Sequence, residues 1–173
     1  MLTLLSVGIL AGCAGTDAKS PDVSDSIRTS LDQSGLKDVS LSQDRDKGVV
    51  TLEGQVASDS DKTRAETLAK SLAGSQVVAN QIVVTPPGLE KEAKAVNSDL
   101  NAGIEKNLDA ALIENKLHEN VKYEVKSGVV TLTGEVDSES TRSLAGRVAS
   151  EVPNVRQVVN DVQIKNKKAT SSQ

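Results

Sequence analysis

The 173-residue sequence has no tryptophan and no phenylalanine, and it has a single tyrosine, histidine, cysteine and methionine. Each shortage closes off a class of function. Without aromatic rings there is no platform on which single-stranded bases stack. Trp and Phe, which anchor helices in a membrane interface, are also missing. One histidine, His118, and one cysteine, Cys13, do not make a clustered transition-metal site, and a lone cysteine closes no disulfide within its own chain. A phosphate-cradling glycine loop and a Gly-x-Ser-x-Gly nucleophile elbow are absent as well. No enzyme, no metal and no bound cofactor are therefore expected. Positive charge is short too. Residues 24–84 carry seven basic and nine acidic side chains, and residues 98–164 carry seven and eleven. Neither stretch has the basic excess that binding to nucleic acid requires, so no nucleic-acid partner is expected.

The chain does contain a repeat. Residues 48–56 read GVVTLEGQV and residues 128–136 read GVVTLTGEV. Side chains alternate between the two faces of a strand. Val50, Leu52, Gly54 and Val56 share one face and are identical to Val130, Leu132, Gly134 and Val136. The two differences, Glu53 to Thr133 and Gln55 to Glu135, fall on the other face with Val49 and Thr51. That pattern predicts a half-buried strand with its repeated face inward. Two units of about 60 residues follow, each of a size that buries only roughly 60% of its unfolded surface. Their cores have to be aliphatic.

Each unit reads as helix, strand, strand, helix, strand. In the first, Val23, Ile27 and Leu31 form a helical stripe stopped by Gly35. VSLSQ at 39–43 and VVTLEGQV at 49–56 form a hairpin. Ser58 caps a helix with Ala65, Leu68, Ala69 and Leu72 on its apolar face, Gly74 ends it, and VVANQIVV at 77–84 is the third strand. In the second unit, Leu100, Ile104, Leu108 and Leu112 give a longer leading helix whose stripe Leu89, Ala93 and Val96 extend backwards. VKYEV at 121–125 opens a hairpin, and Ser138 caps a helix with Ala145, Val148, Ala149 and Val152. Pro153-Asn154 stops that helix before VVNDVQI at 158–164. TPPG at 85–88 separates the units. The expected fold is α+β: two tandem αββαβ domains, each a three-stranded mixed sheet against two helices.

At the N-terminus, MLTLLSVGILAGC is too short to span a bilayer and reads as the apolar part of a secretory signal. Its last four residues, Leu10-Ala11-Gly12-Cys13, look like a bacterial lipobox. That resemblance implies cleavage before Cys13, a diacylglyceryl group on its sulfur and an acyl (palmitate-type) group on its new amine. An ordinary signal that happens to contain a cysteine is the alternative. Residues 14–23, AGTDAKSPDV, read as a tether.

The αββαβ order, the GVVTLxGxV strand, the Ala/Leu helix and the VxNxIxV ending together resemble the BON domain (bacterial OsmY and nodulation). The expected division is a signal at 1–12, a lipidated N-terminus and tether at 13–22 and a first BON domain at 23–84. A linker at 85–97, in part helical, leads to a second BON domain at 98–165 and a basic, disordered tail at 166–173. Two such units behind a lipobox resemble envelope lipoproteins of the Gram-negative outer membrane, facing the periplasm. A soluble periplasmic relative is the alternative location. The resemblance implies contact with membrane phospholipid, preferentially anionic, and support of outer-membrane integrity under stress. Its other branch implies a periplasmic holdase, with envelope proteins or unfolded periplasmic clients as partners.

The residues carry less than the family does. For lipid contact the candidates are Lys106 and Lys116 on the long helix, and Arg142 and Arg147. Gly54 and Gly134 on the inward face suggest a bulge or a helix lying close to the sheet. Asn80 and Asn160 share a strand face with Val78, Ile82 and Val84 or their counterparts, so their amides need partners, and backbone groups at a turn are expected. His118 reads as an exposed helix-end residue. The pairs Asp44/Asp46 and Asp59/Asp61 read as turn and capping residues rather than as calcium ligands.

Overall fold

The computed structural model describes residues 19–165. The expected signal, Cys13 and the tail at 166–173 lie outside the described residues. The first unit contains α1 (Ser24–Gln33), β1 (Val39–Asp44), β2 (Val49–Val56), α2 (Asp59–Ala73), β3 (Val77–Asn80) and β4 (Val83–Val84). The second contains α3 (Glu90–Glu114), β5 (Val121–Lys126), β6 (Val129–Val136), α4 (Glu139–Ser150), β7 (Gln157–Asn160) and β8 (Gln163–Ile164). In both, the hairpin is antiparallel and the strand after the crossover helix pairs in parallel with the hairpin's second strand. β2 and β6 are therefore the central strands of two mixed sheets.

Local chemistry fixes the element ends. Ser58 and Ser138 are extended, and each side-chain Oγ accepts the backbone N–H three residues on, at 3.2 Å. Gly74, at φ 64°, ends α2. The inward side chains of β2 and β6 are buried with Ile27 and Leu31 of α1 or Ile104, Leu108 and Leu112 of α3. In α2 the buried stripe is Ala65, Ala69 and Ala73, whereas Leu68 is half-buried and Leu72 is exposed. The expected Ala/Leu face is thus rotated toward its smallest residues, which let the helix lie close to the sheet.

Two other expectations are corrected. Each sheet has four strands rather than three, because the third strand breaks after Asn80 and after Asn160. At the break the Asn80 Oδ1 accepts the Ile82 N–H at 3.2 Å, and Asn160 does the same for Val162 at 3.4 Å. The amide replaces a ladder partner, and Ile82 and Val162 turn into the core. The outer sheet faces are also not simply solvated. Val49 with Ala79, and Val129 with Val159, form a third apolar cluster between the two sheets. In the expected linker, residues 90–97 are helical and form the first turns of α3.

Gly54 and Gly134 sit at φ 117° and 119°. Nothing helical crowds them. A Cβ on Gly54 would lie 2.2 Å from the Asp38 carbonyl oxygen, and one on Gly134 2.1 Å from that of Asn120. The backbone entering β1 or β5 rests directly on the glycine. Alanine at either position meets both a clash with backbone and a left-handed φ. Gly54→Ala and Gly134→Ala are each expected to lose at least about 2 kcal/mol, measured as a lowered urea midpoint with unchanged slope.

Candidate functional site

The two asparagines at the strand breaks hold each crossover helix to its sheet. Asn80 is buried, and its Nδ2 donates to Glu66 Oε2 at 2.9 Å and to the Lys62 carbonyl at 3.4 Å. Asn160 Nδ2 makes the counterpart of the second of these bonds, donating to the Arg142 carbonyl at 2.8 Å. The helix residue facing each amide differs. Glu66 in the first unit corresponds to Gly146 in the second, where a Cβ would come within 2.8 Å of Asn160 Nδ2. Burial pushes the Glu66 carboxyl up, but hydrogen bonds from Lys70 and Asn80 outweigh it and hold the acid below its ordinary range. Burial, reinforced by the Arg156 guanidinium, lowers Lys62, whose Nζ donates to the Ile82 carbonyl at 2.6 Å.

The four basic residues proposed for lipid contact do not form one cluster. Lys116, in a left-handed conformation after α3, shares a shallow depression of about 440 Å³ with Ile113, His118 and Glu119. Ile113 is 55% exposed. Lys106 lies two helical turns before Ile113, on the same line of α3. Asp109 lies between them, its Oδ1 2.9 Å from His118 Nε2. Arg147 lines a separate depression between the ends of α3 and α4, together with Glu114 and Glu151. Arg142 is at the other end of α4. Its guanidinium reaches Glu139 at 3.6 Å and the Asn160 carbonyl at 3.4 Å, and its Nε is buried without a partner.

A second surface was missed by the sequence reading: the face between the units. Lys47 Nζ lies 2.8 Å from Asp161 Oδ2, and the Asp161 side chain is only 10% exposed. That hydrogen bond, and the carboxylate's charge, raise the Lys47 ammonium above its ordinary range. Ser127 Oγ donates to the Gln81 carbonyl at 2.9 Å, and Lys126 Nζ lies 3.4 Å from Glu53. Gln157 donates from Nε2 to the Val78 carbonyl at 2.7 Å and accepts the Asn80 N–H at 3.4 Å. Beside this face a groove of about 360 Å³ runs between β4, the first half of α3 and Arg156, with Leu89 and Val96 exposed along it. Among the described residues no group of three or more His, Cys, Asp or Glu is placed to hold a metal, and no helix is long and apolar enough to cross a membrane.

Two αββαβ units stacked sheet to sheet, with glycine-seated hairpins and asparagine-broken third strands, define a tandem α+β protein. The BON domain model matches residues 20–86 and 99–166, so the chain belongs to the BON domain family and carries two copies. It is 31% identical over 137 residues to Osmotically-inducible protein Y of Escherichia coli (strain K12), covering 78% of this chain and 67% of that protein. Among solved structures it is similar to the C-terminal domain of CdsD, the structural protein of the type III secretion system of Chlamydia trachomatis. That likeness is 14% identical with a TM-score of 0.36, over 86% of this chain and 100% of that one. A second CdsD structure gives a TM-score of 0.35 over 80% and 90%. No functional inference follows at that level.

Because the folded state holds Glu66 more acidic than the unfolded chain does, its contribution is complete above the ordinary value of 4.5 and fades as pH falls below it. In urea titrations across the acid range, Glu66→Gln is expected to lose stability at neutral pH and to flatten the acid limb.

Proposed function

We propose that the chain is an envelope protein whose second BON unit contacts anionic phospholipid through the end of α3. One observation carries the reading: Ile113 stands exposed between two ammonium groups, Lys106 on its own helical line and Lys116 beside it. An apolar side chain flanked by lysines suits a shallow approach to a negatively charged headgroup layer. The acidic balance of the unit limits that attraction. Affinity then comes from avidity: an acylated Cys13 holds the domains at the periplasmic face of the outer membrane, where weak headgroup contacts count. A role in envelope integrity under osmotic stress is in keeping with similarity to a protein named for osmotic induction.

Vesicle flotation tests the contact. Without its acyl groups, the protein is expected to float with anionic vesicles and not with neutral ones at low salt. Lys106→Glu with Lys116→Glu is expected to weaken this by on the order of tenfold, and Arg142→Glu much less, since Arg142 is turned toward Glu139 and Asn160. No preference for anionic vesicles would remove the lipid reading. It would leave a protein-binding module or holdase, which the groove bearing Leu89 and Val96 favours. Acylation has its own measurement: mass spectrometry of the mature N-terminus is expected to begin at Cys13 with the added mass of the acyl groups, and an unmodified terminus would exclude the anchor.

A further inference from the structure

The contacts between the units are reciprocal. Gly48 corresponds to Gly128, so Val49 matches Val129 and Ala79 matches Val159. Among the described residues, the apolar cluster between the sheets is these two pairs of counterparts. The polar contacts follow the same rule. Lys47, just before its hairpin glycine, reaches Asp161; its counterpart Ser127 reaches Gln81, and Gln81 is the counterpart of Asp161. Each unit thus offers the other the same patch, as two subunits do across a twofold axis. The chain is built as a dimer of BON units within one polypeptide.

The departures from that symmetry are where selectivity lies. Pairing a first unit with another first unit would put Lys47 opposite Gln81 and set Asp46, the counterpart of Lys126, against Glu53. Pairing two second units would put Ser127 opposite Asp161 and leave Lys126 facing Thr133. Only first with second yields both ion pairs. Gln157 adds to this. Alternate peptide groups of β3 point away from β2, and Gln157 bonds to two of them, the Val78 carbonyl and the Asn80 N–H. Its carboxamide stands where one residue of a further parallel strand would stand. The counterpart in the first unit is Val77, 44% exposed and unable to do this.

We propose that this face is a recognition surface that selects a BON unit of the opposite kind, with Lys47–Asp161 and Gln157 as its selecting contacts, and that it accepts such a unit from a second copy of the chain. The linker at 85–89 keeps the two units of one chain at high effective concentration, so pairing within the chain dominates. Weakening that pairing opens the surface to a partner copy. This goes beyond the lipid reading and does not depend on it, since its surface and its test are free of membrane.

A charge swap between copies tests the proposal, using the chain from residue 13 onward with Cys13→Ser so that neither acyl group nor disulfide joins copies. Lys47→Glu faces Asp161, and Asp161→Lys faces Lys47, so each variant repels itself. Mixed, two chains can exchange units, and every interface in the exchanged dimer is complementary. Sedimentation velocity is expected to show at least about tenfold more dimer in the mixture than in either variant alone. The double variant Lys47→Glu/Asp161→Lys is expected to return to a monomer with slow hydrogen exchange at Ala79 and Asn80. Adding Gln157→Ala to both single variants should reduce the exchanged dimer, because each of its two interfaces loses the bonds to Val78 and Asn80. A mixture no more dimeric than its components overturns the proposal. So does exchange at Ala79 and Asn80 that stays as slow in Lys47→Glu/Gln157→Ala as in the wild type, because the selecting contacts would then select nothing.

Discussion

The central strand of each unit packs along its inner face and, at its first residue, on its outer face too, and most of the architecture follows from that. On its inner side β2 packs Val50, Leu52 and Val56 against α1 and α2; on its outer side Val49 meets the other unit. β6 does the same with Val130, Leu132 and Val136 inside and Val129 outside. The inner face leaves the strand no freedom to slip, since a shift of one residue would send Thr51 or Glu53 into an aliphatic core. The glycine at the far end of each central strand secures the register from the other side. Only a residue without a Cβ lets the Asp38 or Asn120 carbonyl settle onto it.

A core without aromatic rings sets a second constraint. Valine, leucine, isoleucine and alanine supply little area per residue, so the elements must approach closely to bury enough of it. The alanine stripe of α2, and Gly146 on α4 beneath Asn160, are solutions to that problem. Small cores of this kind are marginal alone. Stacking the outer faces adds a shared apolar patch and several hydrogen bonds, so each unit contributes to the stability of its neighbour.

The order of elements, the caps at Ser58 and Ser138 and the inward face of each central strand were legible because they depend on local periodicity and on side chains a few residues apart. The strand breaks were not. An asparagine on an apolar strand face announces a need for partners but does not say that its own amide will take the N–H two residues on. The interface between units had a signal that went unused. Val49 and Val129 are identical on the outer face, where Glu53 and Gln55 were free to change, and an unchanged apolar residue on a face read as wet should have pointed to a partner. For the candidate lipid site, sequence placed Lys106 and Lys116 on or next to one helix, but not Ile113 between them. It also grouped Arg142 and Arg147 with them, although one is turned to Glu139 and the Asn160 carbonyl and the other lies among carboxylates. Distance along a chain does not report which side chains are already engaged.

α3 joins the two surfaces. Its 25 residues span about 37 Å. Its first half borders the groove beside β4 of the first unit, its middle supplies Ile104 and Leu108 to the core of the second, and its end carries Ile113 toward Lys116. A helix held at both ends transmits orientation. With the units docked, the direction in which Ile113 and Lys116 face is fixed relative to the first unit, and hence to the chain leading back toward residue 19. With the units apart, that relation is lost. The pairing of the two units therefore governs more than stability: it sets whether the end of α3 and the chain at residue 19 are held in one fixed arrangement.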